Sequence, residues 1–337
     1  MCSWGILHPL YYSGGGKDGL DNSLNLFVLA FHMPLFIGVS GWLFYNTVQR
    51  HGTKDIVLRR LKGIGVVILV WGLVYSARDI VSCAIKGDLI GIFTEYSGHL
   101  FSYWFLWAVL FSNLIHLILV KTIKNKWRYL AIVIITFCLM LLPQDKAHIA
   151  FMYPFFAFAY ELHAVGSKVY ERKYIVVLSV VLWILMAMKF DRTYTVYEAE
   201  NCILLGGLST LYLYMFRFVI GMISGLTVYT FGCWVYEKAK DSKCVKIFVD
   251  AGKYSLELYV VHALLMEVFK RAFALIYTYR DYSAILDMTW LFNIVICPLM
   301  SFGLMVILIC CIKCIYKCKL LKFWIFGIKN IVKKEDF

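Results

Sequence analysis

Long apolar runs separated by short polar or basic segments dominate the chain. The first complete run, about Leu24 to Tyr45, is long enough to cross the ~30 Å hydrocarbon layer of a membrane as a helix. Further runs follow at about Gly63 to Ala84, His99 to Val120, Tyr129 to Leu142, His148 to Val165, Tyr174 to Phe190, Ile203 to Val235, Tyr254 to Ile276 and Trp290 to Ile315. Ile203 to Val235 exceeds the need of one untilted helix, so its outer part reads as a segment lying on the lipid. Met1 to Leu10 is apolar, too short to span, and lacks the basic start of a signal peptide. The pattern predicts an all-α polytopic transmembrane helix bundle, residues 1–316, with about nine full spans plus a partial first helix. Residues 317–337 form a basic amphipathic tail suited to an anionic inner leaflet.

Composition agrees. Hydrophobic residues make up 61% of the 337 and charged residues only 16%, which excludes an ordinary soluble domain. The net charge of +13 would suggest nucleic acid in a soluble chain, but here the basic residues sit between apolar runs. They orient the protein instead, and no nucleic-acid partner is expected. Segments 48–62, 121–128, 168–173, 237–246 and 313–334 together hold 23 Lys and Arg, whereas 1–23, 83–99, 143–148, 189–202 and 277–289 hold 6. The bias alternates at every crossing, which predicts a multi-pass protein of the cell membrane with its C-terminus in the cytoplasm. The connection from Gln49 to Lys62 is an inner loop on this reading, and Ile85 to Gly98 an outer one. The 11 cysteines are scattered along apolar segments, and Cys311-x-x-Cys314 has no second pair to complete a zinc site, so no metal site is expected.

Ionisable side chains inside apolar runs need a reason, because lipid does not solvate them. His32 shares its run with Pro34, which frees a carbonyl one turn earlier, and with Ser40 and Gly41, which let another helix approach. A kinked, well-packed membrane helix explains that stretch as readily as a site does. Arg217 should face the bundle interior or reach the interface, and Glu257 and His262 are further buried polar candidates. The adjacent Arg78 and Asp79 read as an interfacial pair. His116 reads as a packed or interfacial residue, and Glu161 and His163 as residues of the inner headgroup region.

Three stretches carry a resemblance. Phe31-His32-Met33-Pro34-Leu35-Phe36-Ile37-Gly38-Val39-Ser40-Gly41-Trp42-Leu43-Phe44 resembles the second membrane helix of the acyltransferase family 3 proteins, integral membrane enzymes that O-acylate sugars. Tyr103-Trp104-Phe105-Leu106-Trp107 is similar to that family's Trp-Phe-Leu signature in its fourth helix. The segment from Gly252-Lys253-Tyr254-Ser255-Leu256 through Tyr259 to His262 is similar to its Gly-Lys-x-Ser-Leu-x-x-Tyr-x-x-His segment. Their order and separation extend the likeness over nearly the whole chain.

The resemblance implies transfer of an acyl group, acetyl foremost, from acyl-CoA to a hydroxyl of a carbohydrate or glycan, with no bound cofactor. Gly5-Ile6-Leu7-His8 matches the end of the family's first helix, which makes His8 the expected general base and His32 its partner or an oxyanion donor. The Arg that the family places about three turns before this His has no counterpart, so most of the first helix is expected to be lacking. Arg59 and Lys62 match a family pair of arginines separated by two residues, and with Arg60 they are expected to bind the CoA phosphates. Lys62 keeps the charge of that pair and loses the planar fork. A lipid-linked sugar transporter or flippase, or a catalytically inactive truncated homologue, would also show many spans and buried polar residues.

Overall fold

Every regular element among the described residues is a helix. The computed structural model describes residues 23–101, 103–141, 150–166, 173–188, 203–261, 295, 297–318 and 326. In chain order the helices are α1 (Ser23–Arg50), α2 (Thr53–Arg60), a π-helical turn (Leu61–Gly65), α3 (Val66–Ile85), α4 (Leu89–Phe101), α5 (Trp104–Thr122), α6 (Asn125–Met140), α7 (Tyr153–Ala164), α8 (Lys173–Ala187), α9 (Ile203–Ala239), α10 (Lys243–Lys253) and α11 (Cys297–Lys317). Three stretches among them are long and apolar enough to cross a membrane: Thr53–Ile85, Trp104–Thr122 and Leu211–Ala239. The expected count of about nine spans extends over residues outside those described.

The chain divides into two compact units. One comprises Met1–Met33, Tyr170–Glu198 and Met215–Ile315; the other comprises Pro34–Val169, Ala199–Tyr214 and Tyr316–Phe337. In the first, Ala30 and Ile220 form a small core with Trp183, Met186 and Phe216 packed against it. Phe31 meets Trp183 edge-on at 5.5 Å, and Thr227 donates to Ser179 at 2.9 Å. In the second, Ile37, Phe44, Ile56, Ile68, Leu117, Phe155 and Phe156 are buried. Leu69, Leu73, Ile118 and Val133 of its helices are exposed, as lipid-facing positions should be.

Two sequence expectations are corrected in the second unit. The segment from Gln49 to Lys62 is not a loop: only His51 and Gly52 interrupt the helices, and α2, the π-helical turn and α3 carry the basic residues straight into the candidate span. Apolar Ile56, fully buried, anchors that helix, while Arg59 and Lys62 remain exposed. Ile85 to Gly98 is likewise mostly helix. Gly87 turns the chain at φ +71°, where a side chain would be strained, and Asp88 caps α4 by accepting from Gly91 N at 2.8 Å. The resulting α3–α4 hairpin is closely packed. Tyr96 Oη donates to Leu69 O at 3.2 Å, and a Cβ at Gly72 would sit 3.0 Å from Leu100 Cδ1.

Gly41 meets its expectation as a point of close approach. A Cβ there would lie 2.9 Å from the carbonyl carbon of Phe156, so α1 and α7 touch backbone to backbone.

Candidate functional site

His32 lies in α1, buried, one helical turn from the carbonyl it uses: Nδ1 is 3.1 Å from Val28 O. A neutral ring donating through Nδ1 carries its lone pair on Nε2, the form that accepts a proton. Arg217 in α9 and Glu257 in the helical stretch after α10 are also buried, and both belong to the same compact unit as His32. Arg217 thus faces protein, as an arginine in an apolar helix must if it is not to reach the interface. His8 and His262 lie outside the described residues.

The expected donor-binding residues fall in the other unit. Arg59 and Arg60 close α2, and Lys62 stands in the π-helical turn that follows, all within the first part of the candidate span Thr53–Ile85. Such turns are uncommon and concentrate at functional sites, because the extra residue per turn redirects side chains and loosens the hydrogen-bond ladder. Arg60 is held over the ring of Phe44, 5.3 Å from its centroid, while Arg59 and Lys62 point to solvent. Phe44 is itself fully buried and meets Phe156 at 5.5 Å and Tyr160 at 6.1 Å.

Behind that aromatic wall is a polar cluster that sequence reasoning missed. Arg128 Nη1 donates to Glu161 Oε1 at 3.2 Å, and His116 Nε2 lies 3.7 Å from the same oxygen. Arg128 also bonds Asn125, the Tyr153 hydroxyl stands 3.5 Å from His116 Nδ1, and the Tyr160 ring is 4.4 Å from the His116 ring. His116, Arg128 and Glu161 are all buried. Three helices supply them: α5, α6 and α7.

Arg128 is therefore no free charge of a basic inner segment, although Lys121, Lys124 and Lys126 beside it are exposed. Glu161 is likewise buried in protein rather than exposed. Its neighbour His163 is committed elsewhere, with Nδ1 2.8 Å from Trp42 O and the ring stacked on Trp42 at 4.2 Å. Within the cluster, His116 Nε2 and Arg128 Nε are buried without a hydrogen-bond partner among the described residues. Polar groups so placed cost free energy, which makes this cluster a place where function is expected to offset stability. The signal in the sequence was three ionisable residues near the ends of three successive apolar runs. Nothing in their spacing, however, says that they meet.

Chemically, the second unit offers a cationic turn at the head of a membrane-length helix, an aromatic wall beneath it, and a buried acid held by an arginine. Such a turn can hold phosphates. The first unit offers a buried imidazole.

Over 136 residues the chain is 29% identical to the nodulation protein NolL of Sinorhizobium fredii (strain NBRC 101917 / NGR234), a match covering 40% of this chain and 37% of that protein's length. No solved structure matches the chain. The family model described as an acyltransferase domain matches residues 5–314, so nearly the whole chain is accounted for and this protein belongs to that acyltransferase family.

Proposed function

We propose that this protein is a membrane-embedded acyltransferase that moves an acyl group, acetyl foremost, from acyl-CoA to a hydroxyl of a carbohydrate or glycan. The observation that carries the reading is the placement of Arg59, Arg60 and Lys62 on one helical and π-helical segment at the head of a membrane-length helix. CoA carries several negative phosphate charges and is made in the cytosol. A basic rim on that side is where it would dock.

In the proposed reaction a neutral histidine, His8 with His32 as partner, takes the proton of the sugar hydroxyl as its oxygen attacks the thioester carbonyl. The carbonyl oxygen becomes an oxyanion, for which hydrogen-bond donors are needed. Its collapse breaks the carbon–sulfur bond. The CoA thiolate leaves and the ester forms, and the histidine returns its proton to the thiolate, so that free thiol and acylated sugar are the products.

The same proposal threads about nine full spans with the C-terminus in the cytoplasm, on the Lys and Arg bias. Reporter fusions at Lys124, Lys240 and the C-terminus should all report inside, and an outside signal at any of them would overturn the threading. Changing both Arg59 and Lys62 to Ala should raise KM for acyl-CoA about 10-fold or more, from the loss of two charge-assisted contacts, and change acceptor KM little. Equal effects on both substrates would contradict the assignment.

A further inference from the structure

Asp79 on α3 and Glu95 and His99 on α4 face one another across the hairpin, and their ligating atoms all lie within 4.8 Å of each other. His99 Nε2 is 3.2 Å from Asp79 Oδ2, so the expected partner of Asp79, the adjacent Arg78, is replaced by a residue on the facing helix. Glu95 and His99 are four residues apart, which puts them on one helical face. Both helices are fixed: Gly87 makes the turn, Tyr96 bonds across to Leu69, and Gly72 admits Leu100.

Among the described residues no lysine or arginine pairs with Asp79 or Glu95. Two carboxylates this close repel by about 1 kcal/mol even in water, and a cation between them removes the repulsion.

We propose that Asp79, Glu95 and His99 form a binding site for a first-row divalent cation, zinc foremost. One imidazole nitrogen and two carboxylate oxygens match zinc's ligand preferences, whereas magnesium and calcium favour oxygen alone. Tetrahedral zinc with bonds of ~2.0–2.2 Å holds its donors ~3.3 Å apart, so the His99–Asp79 spacing already fits. The remaining donors close by rotamer changes of carboxylate side chains. Side-chain exposures of 30% for His99 and 46% for Asp79 leave an entry path from water and room for a water ligand in the fourth position. The ion would clamp the α3–α4 hairpin.

Cobalt(II) and zinc are the probes, used on the full chain purified in detergent, with any histidine tag removed and metal stripped by chelator. One equivalent of cobalt should bring up visible d–d absorption without thiolate charge-transfer bands, and zinc should abolish it. His99→Ala, Asp79→Asn and Glu95→Gln should each weaken binding ~10-fold or more while unfolding, in chelator, at the temperature of the parent chain. Should His99→Ala fail to fold, Glu95→Gln decides. Absence of cobalt absorption in the parent chain would overturn the proposal. So would absorption that survives in Asp79→Asn and Glu95→Gln, or thiolate bands placing the metal on the cysteines of α11.

Discussion

Two histidines in this protein stand beside a carboxylate, and their surroundings differ sharply. His116 is fully buried with Glu161, and Arg128 supplies the positive charge that the carboxylate needs. His99 is partly exposed beside Asp79, with Glu95 adding a second negative charge and no arginine or lysine from the described residues answering it. The first cluster is closed and nearly neutral, bound into the contacts of three helices. The second is open and carries surplus negative charge. The same residue types thus make a charge-balanced buried cluster in one place and an ion-attracting surface in the other, and what decides is burial and the presence of an arginine.

Removing the acid from each cluster should separate them most strongly. Glu161→Ala leaves Arg128 buried without its partner and should cost ~3–5 kcal/mol of stability, read as a large drop in unfolding temperature or in yield of folded protein. Asp79→Ala, measured in chelator, should cost less than ~1 kcal/mol, because its partner is partly exposed. Comparable losses would show that the two sites differ less than their burial says.

Arg128→Lys sharpens the point at smaller magnitude. A lysine keeps the charge but cannot reach both Glu161 and Asn125 as a guanidinium does, so a loss of ~1.5–3 kcal/mol is expected by thermal unfolding. A fully stable variant would mean that charge alone, not geometry, holds the cluster. Where α1 meets α7, Gly41→Ala forces a methyl group against the Phe156 backbone and should cost ~1–3 kcal/mol.

The smallest effect is expected at Asp250, whose carboxyl is held below its ordinary range chiefly by the hydrogen bond from Lys313 at 2.7 Å, with Lys253 adding to it. A folded value below the unfolded one means that the stabilisation is present above the ordinary carboxylate range. It fades as pH falls through the lowered value. Both partners are substantially exposed, so Asp250→Asn should shift the unfolding temperature only slightly, and less still in high salt. A large, salt-insensitive shift would contradict that view.

Much of the fold was legible because membrane-spanning helices announce themselves by length. The helical character of the apolar runs, the inward burial of His32, Arg217 and Glu257, and the close approach at Gly41 all follow from what lipid does not tolerate. The polar ends of helices were less legible. Thr53–Arg60 is short and rich in charge, so it read as loop, yet one buried isoleucine and an uninterrupted run into α3 make it helix.

The cluster of His116, Arg128 and Glu161 was hidden for another reason. Its members are separated by 12 and 33 positions on three helices, and helix packing rather than any local pattern brings them together. Arg128 was counted with exposed basic neighbours because a charge tally does not see direction. Asp79 and His99 are 20 positions apart across a hairpin whose turn the sequence marked only by Lys86-Gly87-Asp88.

The measurement that tests the central claim most directly is release of free thiol from acetyl-CoA by membranes containing this protein, with and without a glycan acceptor. Acyl transfer predicts thiol release that depends on the glycan and is matched by label from the acetyl group appearing in it as an ester. Glycan moving across the bilayer with no thiol released, or thiol released equally without any acceptor, would contradict it.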